Sequence, residues 1–170
     1  MKRHLALIAL LPALAILGGC GLTPLYSGGS SGQVARGLSE VEIAPIEGKA
    51  GWLVNNALRD RLGPPPAAGA ARYRLQVKLD DQITGLAIRR DDSVARERRT
   101  LRARYQLVEV GKDEVLVDAT AGSDAGIDVV GSEYATIAAE STALERLAVI
   151  VADQIVTRVA VEMRQNPPAP

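Results

Sequence analysis

The chain has 170 residues, with 20 basic and 20 acidic side chains, a balance that argues against a general nucleic-acid binder, which needs a clear basic excess to displace counterions. Apolar residues reach 47%, yet Phe is absent and Trp52 stands alone, so any core must be built from Leu, Val, Ile and Ala. Cys20 is the only cysteine and His4 the only histidine, which removes an intrachain disulfide, a Ser-His-Asp triad, a Cys-His pair and an ordinary zinc site by inventory.

The first residues read as a secretory leader. Lys2, Arg3 and His4 are a positive start, Leu5 to Leu17 is an apolar run broken only by Pro12, and Leu17-Gly18-Gly19-Cys20 follows. The run is too short to cross a bilayer core of about 30 Å, which takes about 20 helical residues. Cleavage before Cys20 removes residues 1–19 and leaves the cysteine at the new N-terminus. Lys2 and Arg3 leave with the leader, so 20 − 2 = 18 basic residues face 20 acidic ones in the mature chain. Its histidine is gone as well. Leu17 three places before a lone cysteine matches the bacterial lipobox, so Cys20 is the expected lipid attachment site, carrying N-acyl and S-diacylglycerol groups. One acyl chain binds membranes only marginally, and several on one residue anchor stably. Gly21 stands where Asp often marks retention in the inner membrane, which favours the outer membrane.

Residues 20–37 are expected to be the lipidated start and a flexible linker, since Ser27 to Gly37 is rich in Ser and Gly. A domain is expected over 38–165. Leu38 to Ile46 predicts a strand. Gly51 to Leu62 predicts a short helix, with Trp52 in the core and Gly63-Pro64-Pro65-Pro66 as its stop. Arg72 to Ile88 alternates apolar and polar residues and predicts a second strand, with a bulge at Asp80-Asp81. Ser93 to Val110 predicts a third strand, and Gly111-Lys112-Asp113 a tight turn into a fourth over Glu114 to Ala121. Gly122 to Gly131 reads as a loop or ragged strand end. Ser132 can cap a long helix from about Glu133 to Arg164, with a stripe from Ile137 through Leu144, Leu147, Val151, Ile155 and Val159 to Met163. Residues 166–170 read as a disordered tail. The resulting order is β-α-β-β-β-α. It implies an α+β, two-layer sandwich in which a four-stranded, mainly antiparallel sheet is covered on one face by two helices.

The candidate site is the polar face of the central strands. Arg72, Arg74 and Lys78 share one face of their strand, and Arg96, Arg98, Arg102 and Arg104 share one face of the next. Arg89 and Arg90 add charge at the connection, as does Arg99. Arginine binds phosphates bidentately, so this face suits a phosphorylated ligand or a polar partner wall. The alternative is a solvated strand face, partly neutralised by Asp80, Glu97, Glu114 and Asp118. No spacing proposes a catalytic or metal site.

Four stretches resemble the LptE family of lipopolysaccharide-assembly lipoproteins in its alphaproteobacterial form. They are Cys20-Gly21-Leu22-Thr23-Pro24-Leu25-Tyr26; Val41-Glu42-Ile43-Ala44-Pro45-Ile46 with Asn55-Asn56-Ala57-Leu58; Tyr73-Arg74-Leu75-Gln76-Val77 with Gly85-Leu86-Ala87-Ile88 and Arg102-Ala103-Arg104-Tyr105; and Glu133-Tyr134-Ala135. Leu22 departs from the family's usual Phe, and Gly51-Trp52-Leu53 from a common Gly-Gln-x segment. The resemblance implies a non-enzymatic outer-membrane lipoprotein without cofactors. It implies that the protein plugs and helps assemble the LptD β-barrel and assists lipopolysaccharide insertion into the outer leaflet. The alternative is an adaptor lipoprotein of another envelope lipid-transport or barrel-assembly complex. A third option, a carboxylate hydrolase, predicts a cleft holding two acids with separated pKa values.

Overall fold

A strand with alternating apolar and polar side chains has one face to hide, and three such strands hide it together. The computed structural model describes Leu25 and residues 29–67, 69–88 and 94–166. In chain order the elements are a 3₁₀ turn at Gly29–Ser31, α1 (Gln33–Ser39), β1 (Val41–Ile43), α2 (Gly48–Leu62), β2 (Tyr73–Ile88), β3 (Val94–Glu109), β4 (Glu114–Asp128) and α3 (Glu133–Gln165). The four strands form one sheet in the order β1-β2-β3-β4. The short β1 runs parallel to β2, and the other two pairings are antiparallel. The expected α+β arrangement is present, with one more helix than the sequence reading supplied.

That extra helix is α1, within the stretch expected to be a flexible linker. Ser and Gly dominate there, but Val34 and Leu38 lie four residues apart and both are buried. Gly37 allows the close approach: a methyl group there would sit 3.0 Å from the Met163 Sδ near the end of α3. Two apolar anchors and one contact glycine thus turn a nominal spacer into part of the core. β1 is correspondingly shorter than expected and ends just before Pro45, whose ring fixes φ and removes a donor.

α2 buries Val54, Ala57, Leu58 and Leu62, spaced for one helical face, and stops at Gly63 with φ +91°. Trp52 is 64% exposed, against the core position expected for it. It lies two residues before Val54, about 200° around the helix, and so faces solvent.

Tyr73, Leu75, Val77, Leu101, Ala103, Tyr105, Leu107 and Val117 make the dry face of the sheet. The helices close over it, with Leu144, Leu147, Val151, Ile155, Val159 and Met163 of α3 all buried. The stripe expected to begin at Ile137 begins instead at Ala143; Ile137 is 54% exposed. Ser132 occupies the N-cap position through its carbonyl, which accepts the Thr136 N–H at 3.2 Å, while its side chain makes no cap bond.

Two further expectations are corrected. The β2–β3 register runs unbroken through Asp80↔Arg102 and Asp81↔Leu101, and its shifts lie at Gly85–Ile88. Asp81 does point to the helix side, but Arg99 neutralises it there, so the alternation needs no bulge. β4 continues through Gly122 to Asp128, where a loop was expected, because both faces and its edge find partners, as described below. The reading of 166–170 as a tail falls mostly outside the described residues; α3 ends at Gln165.

Leu38 links α1 to the core that α3 closes. Replacing it with Ala should cost about 2–5 kcal/mol, by the usual cost of emptying a buried leucine site. Urea unfolding of the full chain measures this. A change under about 0.5 kcal/mol would mean that α1 contributes no packing.

Candidate functional site

The outward face of the sheet is mainly polar, with Val108 near one end and Leu86 near the other. β2 contributes Arg74, Gln76, Lys78, Asp80, Gln82 and Thr84, and β3 contributes Arg96, Arg98, Thr100, Arg102, Arg104 and Gln106. β4 brings the missing sign. Asp118, Asp124 and Asp128 share the outward parity of that strand, separated by Thr120, Gly122 and Gly126.

The arginines are therefore laddered. Arg96 Nε reaches Asp128 at 2.9 Å, Arg102 holds both Asp124 oxygens at 3.1 and 3.2 Å, and Arg104 reaches Asp118 at 3.1 Å. Thr100 donates to Asp124 at 2.7 Å and Gln106 to Asp118 at 2.9 Å, so each carboxylate has two partners on β3. On the other side Arg74 lies 3.8 Å from Glu42 of β1. Gly122 makes room for the central rung: any side-chain carbon there would overlap Arg102 Cδ. Two cations on this face have no ion pair among the described residues, Lys78 and Arg98. Lys78 sits directly opposite Arg104. Arg98 lies opposite Thr84 and Gly126, and with Arg96 it borders a hollow of about 380 Å³ over Gly126.

The hydrogen bond from Gln106 and then the one from Arg104 hold the Asp118 carboxyl below the usual range. For Asp124 the donors are Thr100 first and Arg102 second. Glu109 is also lowered, chiefly by its hydrogen bond from Lys112. Groups with depressed folded-state pKa values support the fold above the unfolded value, about 3.9 for Asp, and lose that support as pH falls through the folded one. All three shifts stabilise the ionised form, so none of these carboxyls is tuned to donate a proton near neutrality.

The expected site residues divide into four groups. Arg74, Lys78, Arg96, Arg98, Arg102 and Arg104 are brought together on the outward face. Arg72 is not with them: it precedes β2, pairs with Glu109 at 3.4 Å and lies over the Tyr73 ring at 5.6 Å, at the α1 end of the sheet. Cys20, Arg89 and Arg90 lie outside the described residues. Arg99 is turned to the helix side, where it grips both Asp81 oxygens at 2.8 and 2.6 Å and donates to the Glu140 carbonyl at 2.9 Å. Its pKa is raised, mainly by the Asp81 hydrogen bond. Asp124 and Asp128 were missed because their stretch read as loop. The signal was present in the period-2 series Asp118, Thr120, Gly122, Asp124, Gly126, Asp128.

Carboxyl-carbon NMR should place the Asp118 and Asp124 titrations below about 3.9. Gln106→Leu should raise the Asp118 midpoint and Thr100→Val that of Asp124. Midpoints indifferent to these changes would show that the rungs do not form in solution.

The profile of the LptE family, described as lipopolysaccharide-assembly, matches residues 38–159. No curated protein sequence matches the chain. Among solved structures, a lipoprotein-like chain from Caulobacter crescentus CB15 is 25% identical with a TM-score of 0.65, covering 81% of this chain and 100% of its own. Rare lipoprotein B from Shewanella oneidensis shares the fold at 14% identity and a TM-score of 0.54, with 74% of this chain and 97% of that one covered. A minor lipoprotein from Acinetobacter baumannii does so at 13% identity and 0.55, covering 76% and 95%. With the family profile spanning the sheet and both longer helices, the chain belongs to the LptE family of lipopolysaccharide-assembly lipoproteins.

Proposed function

We propose that this protein is an outer-membrane lipoprotein, held by acyl chains on Cys20, that plugs and helps assemble an LptD-like β-barrel. In that complex it assists insertion of lipopolysaccharide into the outer leaflet, and it does so without catalysis. Among the described residues no helix is long and apolar enough to cross a membrane, so attachment in this reading falls to the lipid.

The observation that carries the reading is the two-sidedness of the sheet. One face is sealed by helices, and the other is an open lattice of guanidinium and carboxylate groups. Barrel lumens are polar, so a face of this kind suits a plug seated against the wall. The two cations left over from the ladder, Lys78 and Arg98, are the groups free to meet phosphates without giving up an existing pair. A carboxylate hydrolase is disfavoured, because the carboxyls with shifted pKa values are all pushed toward the ionised form.

Gentle detergent extraction tests the partnership. The chain should co-purify with a large β-barrel protein, and depletion should remove surface lipopolysaccharide. Recovery of the chain alone, or general loss of barrel proteins on depletion, overturns the assignment and favours an adaptor in another envelope complex.

Arg98→Glu tests the ligand. It should weaken lipopolysaccharide binding about tenfold, the scale of one charge-assisted hydrogen bond, with no loss of stability. Arg102→Glu should lose both binding and stability, since it faces Asp124. Full binding by a folded Arg98→Glu protein would show that this side chain is only solvated.

A further inference from the structure

Beyond the outward face, the edge of β2 past its short pairing with β1 is open among the described residues. β1 pairs only with Tyr73–Leu75 of β2, and the last bond runs from the Ala44 N–H to the Leu75 carbonyl at 2.9 Å. The Tyr73 N–H is likewise directed to the β1 side, toward the Glu40 carbonyl at 3.2 Å. Odd-numbered residues of β2 therefore turn their backbone groups to that edge, and even-numbered ones bond to β3. From Val77 through Ile83 these outward groups have no strand beside them among the described residues. A cleft of about 530 Å³ separates this edge from residues 44–47, where the chain turns away. The opposite edge is treated differently. The Gln154 side chain of α3 accepts the Gly122 N–H at 2.9 Å and donates to the Gly122 carbonyl at 3.3 Å, closing the middle of β4 as a strand would.

We propose that a second copy of this chain pairs antiparallel along the open β2 edge, with the twofold axis at Leu79. The argument is charge register. Only odd-to-odd pairings bring the outward backbone groups of both edges together. A register centred on Lys78 keeps that parity but sets Lys78 against its own copy, and one centred on Asp80 sets Asp80 against its own, so both place like charges directly opposite. Centring on Val77 sets Lys78 against Gln76, and centring on Asp81 sets Asp80 against Gln82. Centring on Leu79 alone sets Lys78 of each copy against Asp80 of the other, twice by symmetry. These are the pairs without mutual backbone bonds, where Cα atoms approach to about 4.5 Å and side chains meet closely. Gln76 then meets Gln82. On the helix side Asp81 meets Val77, and Arg99 already neutralises Asp81.

Among the described residues Lys78 has no ion pair, and Asp80 accepts only neutral donation from Gln82, at 3.0 and 3.1 Å, so both are available. The cleft beside residues 76–79 is the space the second strand enters. The register shifts at Gly85–Ile88 bend the strand beyond and limit the ladder to its central residues. The contact is small, so the dimer is weak and reversible. It concerns the protein free of any barrel and does not rest on the plug reading.

Sedimentation velocity of the full chain, in excess detergent from about 1 μM to 1 mM, tests the pairing across the span of weak affinities. A concentration-dependent dimer is expected. Lys78→Asp and Asp80→Lys should each raise its dissociation constant about tenfold, since each reverses two pairs at once. The double swap, Lys78→Asp with Asp80→Lys, should restore it to within about threefold. Circular dichroism checks that these exposed substitutions leave the fold intact. A monomer at every concentration overturns the proposal. So does a dimer that ignores the single reversals or is not rescued by the swap, which would reflect shared micelles or another surface.

Discussion

The apolar face formed by Tyr73, Leu75, Leu101, Tyr105 and Leu107 must be kept from water, and everything else in the domain is arranged around that need. Each fully buried side chain of this size contributes roughly 1.5–3 kcal/mol. Strands of 16, 16 and 15 residues demand an equally long cover, and the 33-residue α3 supplies it. At 1.5 Å per residue α3 is about 50 Å long, close to the length of 16 residues of strand at about 3.3 Å each. α2 and α1 fill what one helix leaves open. Arg61 of α2 pairs with Asp153 of α3, and Lys49 of α2 donates to Ser141 at 2.9 Å, so the helical layer is fastened to itself as well as to the sheet.

Sealing one face leaves the other to face water or a partner. Ion pairs as exposed as these contribute about 0–1 kcal/mol each and weaken with salt, so the ladder is a poor stabiliser for the number of charges it employs. Its consequence is geometric. Each laddered arginine is directed toward β4 by Asp118, Asp124 or Asp128, so the two signs alternate across the face instead of forming a purely basic patch. Lys78 and Arg98 stand out from it because the acidic strand offers no residue at their rungs: Gly126 lies opposite Arg98, and Lys78 has Arg104 beside it.

The strands and long helix were legible because their periods are strong, and the dry face of the sheet follows directly from alternation at Tyr73, Leu75, Val77 and at Leu101, Ala103, Tyr105. What stayed hidden depended on contacts distant in sequence. α1 is seven residues of spacer-like composition, and only its burial against Met163 makes it helical in context. The second half of β4 carries Gly122, Ser123, Gly126 and Asp residues, all poor strand formers. It holds because Arg96 and Arg102 pair across it and Gln154 binds its edge. For the same reason the basic face read from β2 and β3 alone looked more positive than it is. Two of the three compensating carboxylates, Asp124 and Asp128, sit on the half of β4 whose composition disguised it, and Arg72, expected on the face, pairs with Glu109 at the end of the sheet.

The end of the domain near the β2–β3 connection obeys a different rule from the middle. Beyond Leu79 and Leu101 the helix-facing side of β2 and β3 carries Asp81, Arg99 and Glu97 beside an exposed Ile83, while Ile127 of β4 stays buried. The cover changes with it: α3 has no buried residue before Ala143, although it begins at Glu133. What joins the two layers there is the Arg99 guanidinium, spanning Asp81 on β2 and the Glu140 carbonyl on α3. A charged hydrogen-bonded tie of this kind fixes direction more than it adds stability, because removing both charges from water offsets much of their attraction. The first turns of α3, with Tyr134 and Ile137 exposed, bury no side chain of their own, and Arg99 ties their end to β2. Local opening is easiest where few apolar contacts must be broken. This makes the start of α3 an adaptable segment, at the end of the sheet that also carries Arg98, one of the two outward cations without an ion pair among the described residues.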